Sequence, residues 1–235
     1  MSKEAIEMPA LALVDATPVP SVTLPAPAAP SRPANATRSI FHVASGAVSL
    51  TMLRLLPTRG WIIAVATAFV IAGWGMEAAR RNSHAVNNVL MKLFSPVAHP
   101  HERHGINSST WYVTALLLLA LFAPLRAAEV GVLVLAVADP AAGLIGRRFG
   151  RTRIRAGRSL EGTLGFFVVG AVAATCWLSV AHAMAWPTAA LLAAAAAAVG
   201  ALTELGSTKL DDNFTIPVAT GLAAAVAAMV IVPGM

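Results

Sequence analysis

The sequence predicts an all-α fold, a polytopic transmembrane helical bundle of about seven spans, and three observations predict it. Hydrophobic residues fill 57% of the 235 positions against 12% charged. The mean hydropathy is +0.71, far from the balance of a soluble domain. The apolar residues also fall in runs of the length that crosses hydrocarbon, which needs roughly 20 residues per helix.

Taken in order, residues 1–37 carry seven prolines among scattered Ala, Ser and Thr. That composition extends the backbone and buries no core, so a disordered N-terminal tail is expected, with the transmembrane domain at 38–235. The tail lacks a charged start followed by a continuous apolar run, and does not resemble a cleaved secretory signal. Seven apolar segments follow, at 39–56, 61–78, 110–125, 128–146, 163–183, 187–203 and 215–233. The first contains His42 and Arg54, which fit a shorter or partly interfacial helix. The run Ala193 to Ala198 is a thin helix face that allows close packing. There is no repeat of fixed period.

The connections at 57–60, 126–127 and 184–186 are minimal, whereas those at 79–109, 147–162 and 204–214 are long and polar. Each long connection follows an even-numbered segment, so seven spans put all three on one face together with the tail. Six arginines between Arg147 and Arg158 make that face cytoplasmic by the positive-inside rule. The expected location is an integral position in a bacterial inner (cell) membrane. The net charge of +6 sits largely beside apolar runs, as topology signals and anionic lipid or phosphate partners require, so nucleic acid is not expected. Cys176 is the only cysteine, which excludes an internal disulfide.

Several residues are costly to place in such a chain. Asp139 ends the apolar run Val132 to Ala138 and precedes Pro140. A carboxylate at a helix centre costs about 2.5 to 3.5 kcal/mol on insertion scales. Proline lacks an N–H and disfavours helical geometry before it, so the helix is expected to break at Asp139. Beyond it, Gly143, Gly146, Gly150, Gly157 and Gly162 alternate with Arg147, Arg148, Arg151, Arg153, Arg155 and Arg158, followed by Ser159 and Glu161. Glycines let backbone N–H groups approach phosphate oxygens, and arginine forks pair with those oxygens bidentately, so this composition suits a triphosphate. The plainer account is that the glycines pack helices and the arginines set topology, which leaves Glu161 unexplained.

The last loop supplies Glu204, Asp211, Asp212 and Asn213 ahead of Thr215 and Pro217. Helix capping accounts for one of these polar residues. Oxygen-bearing side chains on the same face as Asp139 also suit Mg²⁺, which prefers carboxylates, water and substrate phosphate. The first long loop holds Arg80, Arg81, Asn87, Asn88, Glu102 and the histidines His99, His101 and His104. Their spacing does not follow the His-Glu-x-x-His zinc pattern. Contact with headgroups is the expected role, with Glu102 supporting the site.

The stretch Ala138-Asp139-Pro140-Ala141-Ala142-Gly143-Leu144-Ile145-Gly146-Arg147-Arg148-Phe149-Gly150, continued by Gly157-Arg158-Ser159-Leu160-Glu161-Gly162-Thr163, resembles the first signature of the CTP-dependent lipid kinase family. Dolichol kinase, phytol kinase and the yeast-type diacylglycerol kinase belong to it. Asp211-Asp212-Asn213-Phe214-Thr215-Ile216-Pro217 resembles its second signature, and Glu204 stands where members often have glutamate. Arg38 to His42, Arg80-Arg81 and Glu102 are weaker matches, and the resemblance covers about 38–233. One departure is Arg158, where the family usually has lysine; arginine keeps the charge but cannot be deprotonated.

The resemblance implies transfer of the γ-phosphoryl group of CTP to the hydroxyl of a membrane lipid alcohol of the diacylglycerol, polyprenol or phytol type. Asp139 and Asp212 are then the catalytic candidates, with Glu161 in support, and Asp139, Asp211 and Asp212 the candidate Mg²⁺ ligands. Gly143, Gly146, Arg147, Gly157, Arg158 and Ser159 are the candidate nucleotide-binding residues, with Glu102, Glu204 and Asn213 as supporting residues. Phosphatidate cytidylyltransferases share a version of the first motif but close with a Lys-Asp and His-Gly-Gly type signature that is missing here. Synthesis of a CDP-lipid stays open beside the kinase, as does a small non-enzymatic membrane transporter that uses Asp139 for passage.

Overall fold

The computed structural model describes residues 36–94, 105–155, 157–207 and 210–232. The expected tail up to residue 35, and His99, His101, Glu102 and His104, lie outside those residues. Among the described residues there are eight helices: α1 Ala36–Leu55, α2 Arg59–Asn82, α3 His84–Leu93, α4 Ser108–Phe122, α5 Leu125–Phe149, α6 Leu160–Ala181, α7 Trp186–Gly206 and α8 Asp212–Ile231.

Local chemistry sets most of the helix starts. The side-chain oxygens of Thr58, Ser83, Asn107, Ser159 and Asp211 accept from N–H groups in the first turns of α2, α3, α4, α6 and α8. Each satisfies a donor that a helix end would otherwise leave orphaned. In the bilayer, where water cannot rescue such groups, this fixes where a span begins.

Five helices, α2, α5, α6, α7 and α8, are long and apolar enough to cross a membrane. The expected count of seven is not reached on that measure: α4 is apolar but only 15 residues long, and α1, with 20 residues, is too polar. The outer surface carries large apolar side chains, among them Val180, Val230, Phe122 and Leu191, as a surface facing lipid does.

The centre of the bundle is α5, which packs on α6, α8 and α1, while α7 closes against α6 and α8. Small residues permit these approaches. A Cβ added at Gly131 of α5 would meet the Pro217 carbonyl of α8, and Ala189, Ala193, Ala196 and Ala197 of α7 are fully buried. Helices with little side chain between them gain dispersion contact, which drives association where the hydrophobic effect cannot.

Two expectations are corrected here. The helix does not break at Asp139; α5 runs through Pro140 without interruption. Pro140 leaves the Ala136 carbonyl without its helical donor, and α1 packs directly on this turn: Gly46 lies against Ala136, and His42 Nε2 donates to the neighbouring Leu135 carbonyl at 3.2 Å. A span buried against another helix tolerates a proline. The connection at 79–109 is also not simply loop, since α3 occupies its first part, with Val86, Val89, Leu90 and Leu93 at helical spacing.

Candidate active site

The face that gathers the C-terminal ends of α2, α5 and α7 and the N-terminal ends of α4, α6 and α8 carries the polar clusters. Between α5 and α6 the chain forms a small antiparallel turn. Arg153 bridges Ser159, the Ile154 N–H donates to the Arg158 carbonyl at 3.0 Å, and the Leu160 N–H donates to the Thr152 carbonyl at 2.9 Å. The Arg158 N–H closes the tip on the Arg155 carbonyl at 2.8 Å. Gly157 makes that tip possible, with φ of +79° and no heavy atom within 4 Å of where a Cβ would stand.

Arg158 is the centre of this face. Its side chain is 8% exposed and reaches three partners. Nε lies 2.6 Å from Glu204 Oε1 at the end of α7, and Nη2 donates to Asp212 Oδ2 at 2.7 Å at the start of α8. Nη1 donates to the Ser207 carbonyl at 2.8 Å. Asp139 of α5 is half-buried and close enough for its charge to act on Asp212. The result is two carboxylates, from α7 and α8, on one guanidinium, with a third, Asp139 of α5, near enough to Asp212 for their charges to interact. Two of the three keep acceptor capacity among the described residues: Asp139 makes no hydrogen bond or ion pair, and Asp212 Oδ1 is buried with no hydrogen-bond partner.

Not every candidate joins this cluster. Asp211 is committed elsewhere: Oδ1 accepts from the Asn213 N–H at 2.9 Å and from Asn213 Nδ2 at 2.8 Å, and Oδ2 accepts from Ser108 Oγ at 2.8 Å. It is the cap of α8 and its tie to α4. Glu161 accepts from the Thr152 N–H at 3.1 Å and pins the turn. Among the described residues no three of His, Cys, Asp and Glu come together as a metal-holding group.

Several of the candidate glycines lie at close helix contacts. Gly143 and Gly146 lie inside α5, where N–H groups are committed to the helical ladder and face no phosphate. A Cβ at Gly146 would stand 3.0 Å from Ser159 Oγ, and one at Gly150 2.6 Å from the same atom. Ser159 is itself buried and caps α6 through Gly162 N at 3.1 Å. Gly146, Gly150 and Ser159 therefore seat α6 on the end of α5. Gly143 makes room for Arg147, whose Nη1 would be 3.1 Å from a Cβ there. That exposed arginine has no ion-pair partner among the described residues, and its side chain folds back along the side of α5 that carries Asp139. Arg158, the other arginine expected to hold phosphate, is placed against Glu204, Asp212 and the Ser207 carbonyl.

Sequence reading missed three groups. Glu77 and Arg80 form a buried ion pair at 2.6 Å, and Glu77 Oε1 accepts from the Asn107 N–H at 2.9 Å, which fastens the start of α4. Arg80 also donates to the Gly105 carbonyl. On the opposite face Glu129, 0% exposed, lies 2.5 Å from His182 Nε2 and accepts from Trp177 Nε1 at 2.7 Å, with Arg54 Nη1 3.8 Å away. The third is a cavity of about 480 Å³ bounded by α1, α2, α4 and α5. Its polar end is formed by Arg38, Asn107, Ser108 and Asn213, and the rest of its wall is largely apolar. Ser108 and Asn213 are the two partners of Asp211, so the cavity mouth adjoins the carboxylate cluster.

Comparison with known proteins gives a direction to this geometry. Over 207 residues, 79% of the chain, it is 24% identical to CTP-dependent diacylglycerol kinase 1 of Saccharomyces cerevisiae, covering 70% of that protein. Over 138 residues, 57% of the chain, it is 28% identical to CTP-dependent diacylglycerol kinase 1 of Eremothecium gossypii, covering 43% of that protein. The chain is thus similar to proteins named CTP-dependent diacylglycerol kinase. No protein-family model and no solved structure matches it. Here Asp139, Arg158, Glu204 and Asp212 lie on one face, and Arg158 is the partner that Glu204 and Asp212 share.

Proposed function

We propose that the protein transfers the γ-phosphoryl group of CTP to the hydroxyl of a membrane lipid alcohol, of the diacylglycerol, polyprenol or phytol type, at the cytoplasmic face of a bacterial inner membrane. The observation that carries this reading is the pairing of Glu204 and Asp212 with Arg158, with Asp139 close to Asp212, beside the mouth of a largely apolar cavity. The names of the two relatives supply the nucleotide and the class of acceptor.

Phosphoryl transfer asks a protein mostly for positioning and charge neutralisation. Arg147, exposed beside Gly143, and the open backbone around Gly157 are the groups suited to the triphosphate. Asp212, with one buried oxygen lacking a partner, and Asp139, with no hydrogen bond, are the candidates for receiving the alcohol proton. The same two carboxylates fit Mg²⁺, which is commonly held by one or two carboxylates together with substrate phosphates and water. When bound, the ion would neutralise charge on the transferring group. Asp211 is left to hold the start of α8 and Glu161 to hold the turn. Arg158 is a positioning residue: it holds Asp212 and Glu204 aligned in a buried place, which a lysine amine would do with fewer fixed contacts.

The test uses purified full-length protein in lipid nanodiscs, a panel of lipid alcohols, and CTP labelled at either the γ or the α phosphorus. Label entering lipid from the γ position only is the expected result. Label entering lipid from the α position, with release of pyrophosphate, would replace the kinase with CDP-lipid synthesis. Solute flux without nucleotide consumption would replace both with transport.

A further inference from the structure

The 480 Å³ cavity is longer than a headgroup site needs to be. It is bounded on α1 from Arg38 to Leu53, and by Leu56 just beyond that helix. Eighteen residues at about 1.5 Å each make about 27 Å, close to the roughly 30 Å of a bilayer's hydrocarbon core. That length suits an extended hydrocarbon tail. The polar groups along the wall are already occupied. Tyr112 donates to Ser49 Oγ at 2.9 Å and His42 donates to the Leu135 carbonyl. A tail lying there meets no polar atom that demands a partner.

At the end away from the carboxylates the cavity stops on Leu53, Leu56 and Ile62. Leu53 and Ile62 are buried. The same three side chains also line a second space of about 140 Å³, which continues toward Arg59, Leu119 and Leu125 at the opposite face. Three apolar side chains thus separate two spaces that would otherwise be one channel through the bundle.

We propose that Leu53, Leu56 and Ile62 are the floor of a channel that takes a hydrocarbon tail of the lipid alcohol, and that they set the tail length the protein accepts. This rests on the lipid-alcohol reading above. The occupant follows from continuity. Ser108 and Asn213 line the mouth and bind Asp211, the neighbour of Asp212, so a tail in the channel leaves its hydroxyl beside the carboxylates.

The experiment compares full-length protein with Ile62→Ala, Leu53→Ala and Leu56→Trp in nanodiscs. Two profiles are read over a graded series of single-tail lipid alcohols: kcat/KM for γ-label transfer from CTP, and the alcohol retained by the protein in native mass spectrometry. Each further buried methylene is worth about four-fold. An opened floor that admits two more should therefore shift the ratio of long to short substrates about fifteen-fold toward long. Leu56→Trp, which adds bulk and keeps the core filled, should shift both profiles toward short tails, so the proposal does not depend on a variant with a cavity. Phosphorylation with unmoved profiles in all three variants would overturn the floor and leave the kinase standing. A retention profile that follows the floor in a protein that labels no lipid would support the floor and remove the kinase. Neither labelling nor movement would remove both.

Discussion

Replacing Arg158 with Met keeps the bulk of the side chain and removes its charge. Glu204 and Asp212 then remain at 10% and 24% side-chain exposure with the cation between them gone. Removing one partner of a buried charge pair costs about 3 to 5 kcal/mol, mostly as the penalty of the charge left behind. One kcal/mol shifts Tm by about 2 to 4 °C in a domain of 150 to 250 residues, so a fall of roughly 10 °C is expected for the purified protein in detergent. Part of it should return when the stranded carboxylates are neutralised in the same chain, as Arg158→Met with Glu204→Gln and Asp212→Asn. The assay is thermal melting followed by loss of the monodisperse size-exclusion peak. If Arg158→Met melts with the parent protein, or if neutralising both carboxylates lowers Tm further, the arginine is not what holds these helix ends together. Arg158→Lys should fall between, because an ammonium serves as a point charge where the guanidinium fork reaches Glu204, Asp212 and Ser207 at once.

Asp139→Asn and Asp212→Asn should each lower kcat/KM for γ-label transfer at least a hundred-fold, equal to about 2.7 kcal/mol of transition-state stabilisation. Asp139→Asn should leave Tm within a few degrees, since no hydrogen bond is lost; activity within ten-fold of the parent in both variants would remove the carboxylates from the chemistry. Gly150→Ala places a methyl 2.6 Å from Ser159 Oγ, and should cost about 1 to 3 kcal/mol by forcing α6 off the end of α5, a loss that an unchanged melting curve would disprove. Glu129→Ala strips His182 and Trp177 of their acceptor and should destabilise the protein by about 1 to 3 kcal/mol. Its KM for CTP should be unchanged, because the group lies on the face opposite Arg158; a raised KM would contradict that placement.

The parts of this fold governed by one-dimensional rules were legible in the sequence. The apolar runs become α2 and α5 to α8, and polar residues such as Ser159 and Asp211 mark where α6 and α8 begin. The two motif regions do supply a cluster on one face. What was not legible depends on partners far along the chain. Pro140 was expected to break its helix because local propensity says so, yet α5 runs through it where α1, far earlier in the chain, packs on Leu135 and Ala136. Glu129 stood inside an apolar run with a cost as plain as that of Asp139, yet its partners Trp177 and His182 come 48 and 53 residues later. Glycine beside arginine is the composition of a phosphate loop and also of a tight helix crossing; only the distance from Gly146 and Gly150 to Ser159 separates the two. The helical spacing in α3 was readable and was passed over among polar neighbours.

Asp211 and Asp212 are consecutive, yet they face different neighbourhoods. One is fixed to Ser108 and Asn213 at the rim of the apolar channel, and the other is fixed to Arg158 among the charges. On the proposed reading, a lipid that presses on the rim pulls on the same peptide unit that orients Asp212. Filling the channel would then be felt at the carboxylate cluster, through the first turn of one helix.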